Sequence, residues 1–217
     1  MRYHPPVPLA DACFVLLIRH GATANNDARP PRLQGSGLDV GLSDKGRHQA
    51  ELTGEALADH PLAAVYSSPL LRARQTAAEV AAPHGLDVTT VDELVECNVG
   101  SWEGRFWAEI EESEPEAYRA FIDDPENNPY AGGESLGEVC ERVMPAIESL
   151  VACHTGEIVA VVAHNVVNRV LLARLIGLPI AKARTIDQQN CGINVLRFRD
   201  GKLSMRSANA AFHLDEW

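Results

Sequence analysis

Arg19, His20 and Gly21 stand together at the end of the apolar run Cys13–Ile18. A cation, an imidazole and a residue without a Cβ, placed where a buried strand leaves the core, are the parts of a nucleophile beside an anion clamp. Partners for that chemistry occur at three further places. Arg72 follows the short apolar stretch AAVYSS and Pro69; Glu96 follows LDVTTVDEL; His164 follows GEIVAVVA. Two guanidiniums, two imidazoles and a carboxylate suit a phosphoryl group. Attack at phosphorus spreads charge over oxygens that arginine forks hold bidentately. Nearby cations keep an imidazole neutral and able to attack, Gly21 lets the backbone approach and orients the ring through its carbonyl, and a carboxylic acid protonates the leaving oxygen.

Taken singly, each residue has a plainer reading. A histidine at a strand end is usually structural, Arg72 suits a surface pair with Glu79, and Glu96 suits a solvated loop. What sets them apart is their common position. In a parallel α/β sheet the carboxyl ends of the strands share one rim, and ligands bind there. Helix N-termini at that rim add N–H donors and a positive dipole.

The elements that must position them follow the same rhythm. Cys13–Arg19, AAVYSS, LDVTTVDEL and GEIVAVVAH read as strands, the first and last apolar without alternation, as buried parallel strands are. Helices are expected from Ser43 to His60, from an N-cap at Ser68 with Pro69 to Ala82, and from Val166 to Ile176 before Gly177. A Ser135/Glu138 capping box opens another helix, with apolar residues from Leu136 to Leu150 at helical spacing and a kink expected at Pro145. The segment GINVLRFRDGKLSMRS reads as a hairpin turning at Asp200-Gly201. Alternation of strands and helices predicts a three-layer α/β/α sandwich with a mostly parallel central sheet. Residues 101–134, acidic and aromatic, interrupt it and read as a small inserted cap on a single domain of 217 residues. Residues 1–12 read as a flexible leader.

Bulk properties exclude some partners. A chain with 46% hydrophobic residues can bury a substantial core. A net charge of −11 argues against nucleic-acid binding and against an anionic membrane surface. No apolar run approaches the roughly 20 residues of a membrane span, and the proline-rich start has no apolar signal core, so a cytoplasmic location is expected. The five cysteines are scattered without a CxxC pair and read as reduced core thiols. The histidines show no HxH or HExxH spacing, so no metal or other cofactor is expected.

The chain resembles the histidine phosphatase superfamily, also called phosphoglycerate-mutase-like, from Phe14 to Leu214. The signature Arg19-His20-Gly21 extends to Thr23 and Asn26; RLQG stands at Arg32–Gly35, LSDKGRHQA begins at Leu42 and SSPLLRARQT at Ser67. Glu96, GSWEG, GGES, His164 and the closing NAAFHL follow in order. This resemblance implies that His20 becomes phosphohistidine, that Arg19, Arg72 and His164 hold the phosphoryl oxygens, and that Glu96 donates the proton. It places Gly21, Asn26, Arg32, Gln34, Gly35 and Asn165 on the substrate side. Ala22 and Asn165 depart from the common Glu and Gly, which bears on substrate fit. The implied substrate is a small-molecule phosphate monoester of a sugar, nucleoside or organic acid, and a homodimer is left open. Two other readings compete with a phosphomonoesterase. A phosphomutase would need a second basic site, for which Arg105 and Arg119 are the candidates; a non-catalytic phospho-ligand module would not need both His20 and Glu96. The aromatics Trp102, Phe106, Trp107, Tyr118, Phe121 and Tyr130 either line the pocket or form the insertion's own core.

Overall fold

β1 (Ala12–Arg19) is buried along all but its last residue, as an apolar run without alternation requires. A computed structural model describes residue 7 and residues 9–214 of the chain. Most of the expected leader lies outside these residues; its last member, Ala12, already belongs to β1. After β1 come α1 (Ala24–Asp27), α2 (Asp44–Leu57), β2 (Leu62–Ser67), α3 (Leu71–Ala81) and β3 (Val88–Thr90). Then follow α4 (Trp107–Ser113), α5 (Pro115–Asp123), α6 (Leu136–Ala152), β4 (Ile158–Ala163), α7 (Asn165–Ile176), β5 (Ile193–Arg199) and β6 (Lys202–Ala210).

The strands form one sheet in the order β3-β2-β4-β1-β5-β6. Pairings β1/β4, β2/β4 and β2/β3 are parallel, whereas β5 runs antiparallel to β1 and β6. Side chains of β1 and β4 alternate between two cores. Val15, Leu17, Val159 and Val161 pack with Val139, Val143 and Ile147 of α6 and with Val170 and Leu171 of α7. Phe14, Leu16, Ala160 and Val162 pack with Leu57 of α2 and with Ala73, Ala77 and Val80 of α3. Helices on both faces of a mostly parallel sheet are the expected three-layer arrangement.

Several local expectations hold in detail. Ser43 caps α2 by accepting the Gly46 N–H. Ser135 and Glu138 form the reciprocal box at the start of α6, which runs through Pro145. Asp200 and Gly201 both have positive φ in the two-residue turn between β5 and β6.

Others need correction. The third strand is only Val88–Thr90, because the chain turns into a 3₁₀ segment at Asp92–Leu94. It is an edge strand with a partner on one side only, so little holds it extended. Ser68 does not cap α3; Leu70 occupies that place, and the Ser68 hydroxyl is bound to His164. Of the cysteines expected in the core, Cys13, Cys97, Cys140 and Cys191 are buried, while Cys153 is exposed.

Segment 101–134 builds no core of its own. Trp102, Phe121 and Tyr130 are buried in the cluster that also holds Val15, Leu17 and the inner faces of α6 and α7. The rings meet edge-on, Trp102 against Phe121 at 5.8 Å and against Tyr130 at 5.7 Å.

Candidate active site

β1 and β4 pair in register up to Arg19 and Ala163, and the His20 N–H donates to the Ala163 carbonyl at 3.0 Å. His20 and His164 therefore leave the sheet side by side, with ring centroids 5.1 Å apart. The His20 ring is fixed by Nδ1, which lies 2.7 Å from its neighbour's carbonyl, that of Gly21. A carbonyl only accepts, so Nδ1 carries the hydrogen and Nε2 keeps its lone pair. Gly21 in turn donates its N–H to Thr76 Oγ1 at 3.0 Å. Here glycine is required for space: a Cβ on Gly21 would lie 2.4 Å from the Gly46 carbonyl oxygen.

The His164 Nε2 lies 2.7 Å from Ser68 Oγ, and its Nδ1 makes no hydrogen bond within the protein. Both imidazoles are held well below the ordinary histidine pKa. For His20 the cause is burial first, then Arg19 and Arg72, against a smaller opposite pull from the Gly21 carbonyl. For His164 it is burial, then His20, Arg72 and Arg19.

Arg19 donates one Nη1–H to the Gln188 carbonyl at 2.6 Å. Burial lowers its pKa to about 10, with Glu96 pulling the other way, so it stays a cation at neutral pH. Gln188 belongs to a buried amide cluster: its Oε1 accepts from Asn168 and from Asn194, and Asn194 also donates to the Leu17 carbonyl.

Arg72 is fully buried. Its Nη1 donates to the Leu38 carbonyl at 2.8 Å and its Nη2 to the Gly35 carbonyl at 2.9 Å. The loop that supplies these carbonyls is itself held by Glu103, which accepts from the N–H groups of Gly35 and Gly37 at 2.7 and 2.9 Å.

The Glu96 carboxylate lies at the start of α7. It accepts from the N–H groups of Cys97 at 2.9 Å, Val166 at 3.2 Å and Val167 at 3.4 Å. A helix N-terminus with free N–H groups is a favourable place for a carboxylate.

A cavity of about 350 Å³ opens over this rim. Of the residues expected from the sequence, Arg19, His20, Asn26, Arg32, Gln34, Glu96 and Asn165 line it. Gly21, Gly35, Arg72 and His164 are not among the lining residues, although each is in contact with or next to one that is, or carries an unpartnered polar atom at this end of the sheet. Asn26 Oδ1 accepts from Thr23, and Gln34 Oε1 accepts from the Thr23 hydroxyl at 2.7 Å, so one threonine ties two wall residues together. Arg32 lies over the Phe106 ring at 4.2 Å.

The cavity also contains residues that the sequence reading missed. Asn190 donates to the His20 carbonyl at 2.9 Å. Arg169 and Arg184 line the cavity together with Trp107 and Tyr130. One signal for Arg169 was available: Asn165, Val166, Arg169 and Val170 fall on one helical face, and all four line the cavity. The aromatic question resolves both ways, because Trp107 and Tyr130 line the cavity whereas Trp102 and Phe121 are core. Arg105 is not in the lining; it is paired with Glu114 and Ser113. Among the described residues, no group of three or more His, Cys, Asp or Glu is arranged to hold a metal ion, and no helix is long and apolar enough to cross a membrane.

Comparison with known proteins agrees with this geometry. Phosphoserine phosphatase 1 of Hydrogenobacter thermophilus is 32% identical over 203 residues, covering 94% of this chain and 95% of that protein. The metal-independent phosphoserine phosphatase of Arabidopsis thaliana is 37% identical, covering 92% of this chain and 82% of that one. Among solved structures, YhfR of Bacillus stearothermophilus superposes with a TM-score of 0.85 at 30% identity, over 93% of this chain and 98% of that one. Mycobacterial glucosyl-3-phosphoglycerate phosphatase superposes with a TM-score of 0.80 at 30% identity, over 92% and 99%. The model of the histidine phosphatase superfamily (branch 1) matches residues 15–211, and the chain belongs to that superfamily.

Proposed function

We propose that this protein is a phosphomonoesterase that hydrolyses a small phosphorylated metabolite through a phosphohistidine on His20. The observation that carries the reading is the His20 ring: its Nδ1 is committed to the Gly21 carbonyl, and its neutral Nε2 faces the same cavity as Arg19 and Glu96.

In the first step the Nε2 lone pair forms a bond to phosphorus and the ester P–O bond breaks. Negative charge on the phosphoryl oxygens is met by Arg19, by the second hydrogens on the Arg72 Nη groups and by His164. The electron pair of the broken bond goes to the leaving oxygen, which takes a proton from Glu96. In the second step the Glu96 carboxylate removes a proton from water, the water oxygen bonds to phosphorus and the P–N bond breaks. Phosphate leaves, and both side chains return to their starting protonation states. Relatives named as phosphoserine phosphatases support hydrolysis as the net reaction.

The test is an acid quench of a single turnover with labelled p-nitrophenyl phosphate. Native protein is expected to retain a base-stable, acid-labile phosphoryl group, and His20→Ala to retain none. Turnover without any trapped species would overturn the covalent route.

Hydrolysis is preferred to a mutase reaction because relatives that match this chain over 95% and 82% of their own length are named phosphoserine phosphatases. Phosphorus NMR of a phosphoglycerate mixture checks this: phosphate release should outrun isomer exchange.

A further inference from the structure

The cavity lining carries charge that the proposed reaction centre does not use. Arg169 donates through Nε to the Ile186 carbonyl at 2.7 Å, and among the described residues its Nη groups have no hydrogen-bond partner. Arg184 lies over the Trp107 ring at 4.7 Å and over Phe121 at 5.7 Å. Among the described residues neither side chain forms an ion pair. They are close enough that Arg184 is the largest charged influence lowering the Arg169 pKa, second only to burial. Arg32 contributes a third guanidinium to the lining, anchored to the Gly104 carbonyl at 3.0 Å. Against these stands a single lining carboxylate, Glu96, already engaged by three backbone N–H groups.

Two like charges held close together favour a further anion; Asp187, outside the lining, and Glu96 are the carboxylates that already act on Arg169. Arg169 is half-buried and fixed by its Nε, and Arg184 is exposed and fixed by its aromatic shelf. Both forks are therefore ordered before any ligand arrives, which lowers the entropic cost of binding one. Planar forks of this kind match a carboxylate or a phosphate.

We infer that Arg169 and Arg184 form a subsite for a second anionic group of the substrate, so that the preferred ester is a phosphorylated organic acid or a bisphosphate rather than a neutral sugar or nucleoside phosphate. This rests on the phosphatase reading above and narrows it. The lining offers no carboxylate apart from Glu96 for an ammonium, so an acid without an amine fits better than an amino acid. Trp107 and Tyr130 flank the carbon chain between the two anions, and Leu33, Val99 and Val170 add apolar contact.

The test compares kcat/KM for 3-phosphoglycerate and glycerol 3-phosphate, which differ by one carboxylate, with p-nitrophenyl phosphate as a control for turnover. A charge-assisted contact of this kind is worth about ten- to hundredfold, so wild type should favour the carboxylate by that ratio. Arg169→Gln with Arg184→Gln should bring the ratio close to one. Arg169→Lys keeps the charge without the Nε anchor and should retain most of the preference, which separates a lost anion contact from a damaged fold. Propane-1,3-diol bisphosphate distinguishes the two anions: faster turnover than 3-phosphoglycerate identifies a phosphate subsite, slower turnover a carboxylate one. Equal kcat/KM for all three alkyl esters, with p-nitrophenyl phosphate hydrolysed, would overturn the subsite and leave the phosphatase reading standing. A preference for O-phosphoserine over 3-phosphoglycerate would overturn the exclusion of an amine. If no ester is hydrolysed, the phosphatase reading fails, and calorimetric binding of the same esters still tests the subsite, with equal affinities overturning it.

Discussion

The Ser68 hydroxyl and the His164 Nε2 are 2.7 Å apart, and the same hydroxyl oxygen accepts the Leu70 N–H at 3.3 Å. If the hydroxyl hydrogen points at Nε2, the imidazole hydrogen lies on Nδ1, the tautomer that the proposed mechanism requires. Nδ1 is the ring nitrogen without a protein partner, and as a donor it can hold a phosphoryl oxygen. On the proposed mechanism the two histidines differ in task through their second contacts, a carbonyl leaving Nε2 of His20 to attack and a hydroxyl leaving Nδ1 of His164 to donate.

Ser68→Ala should therefore lower kcat by about tenfold, the loss of roughly one hydrogen bond's orientation. Ser68→Thr keeps the hydroxyl and should recover most of it. Steady-state kinetics on p-nitrophenyl phosphate reads both, and an unchanged kcat in Ser68→Ala would remove Ser68 from the mechanism.

Stability should depend on pH through the same two rings. Both have folded-state pKa values below the unfolded value of about 6.5. Above that pH neither state is protonated and the full stability is present. As pH falls through 6.5 the unfolded chain takes up protons that the folded rings refuse, so stability declines toward the lower folded values. Each ring contributes at most about 1.4 kcal/mol per pH unit. Urea titrations between pH 7 and pH 5 should show this decline, and His164→Asn should flatten it; a rise in stability on acidification would contradict it. The nucleophile itself should stay competent over that range.

Glu96→Gln separates chemistry from capping. An amide keeps one acceptor oxygen and cannot exchange a proton. Loss of general acid help should slow phosphorylation of His20 by alkyl phosphates about 10²–10⁴-fold. For p-nitrophenyl phosphate the leaving group departs without a proton, so the burst should fall far less. Rapid-quench burst rates are the measurement. Equal falls for both classes of ester would assign Glu96 to the α7 N-terminus alone and shift the search to Glu93 or Glu103.

The contact between the first turn and α2 gives a stability test. A Cβ on Gly46 would lie 1.9 Å from the Ala22 carbonyl oxygen, so Gly46→Ala must push the two backbones apart. Overpacking of this kind costs about 2–3 kcal/mol. Chemical denaturation should show that loss, and because Ala22 is two residues from His20, kcat should drop with it. A variant as stable as wild type would mean that the turn and α2 separate freely.

Legibility of the molecule in its sequence followed the range of the forces involved. β1 and β4 are readable because burial on both faces leaves no polar alternation, and α6 because its capping box is local. The short β3 was over-read, since an edge strand's length depends on what its neighbour offers and not on its own residues. Ser68 was misread as a cap because a partner 96 residues away claims its hydroxyl. Arg72 follows β2 as expected, but the carbonyls of Gly35 and Leu38 that hold its Nη groups come from a loop more than 30 residues away and left no local trace. Arg184 carried no local signal, because its place beside Trp107 depends on how segment 101–134 packs over the sheet.

The register between β1 and β4 has one more implication. Arg19 faces Ala163, and the next step on each strand is His20 and His164. The spacing of the two imidazoles is thus a property of the backbone ladder and not of the chain that joins them. Insertions or deletions in the connecting segments leave that spacing alone. Residues 101–134 and the turn after α7 can therefore be rewritten without moving one imidazole relative to the other, so on the proposed mechanism a change of substrate need not disturb the pair.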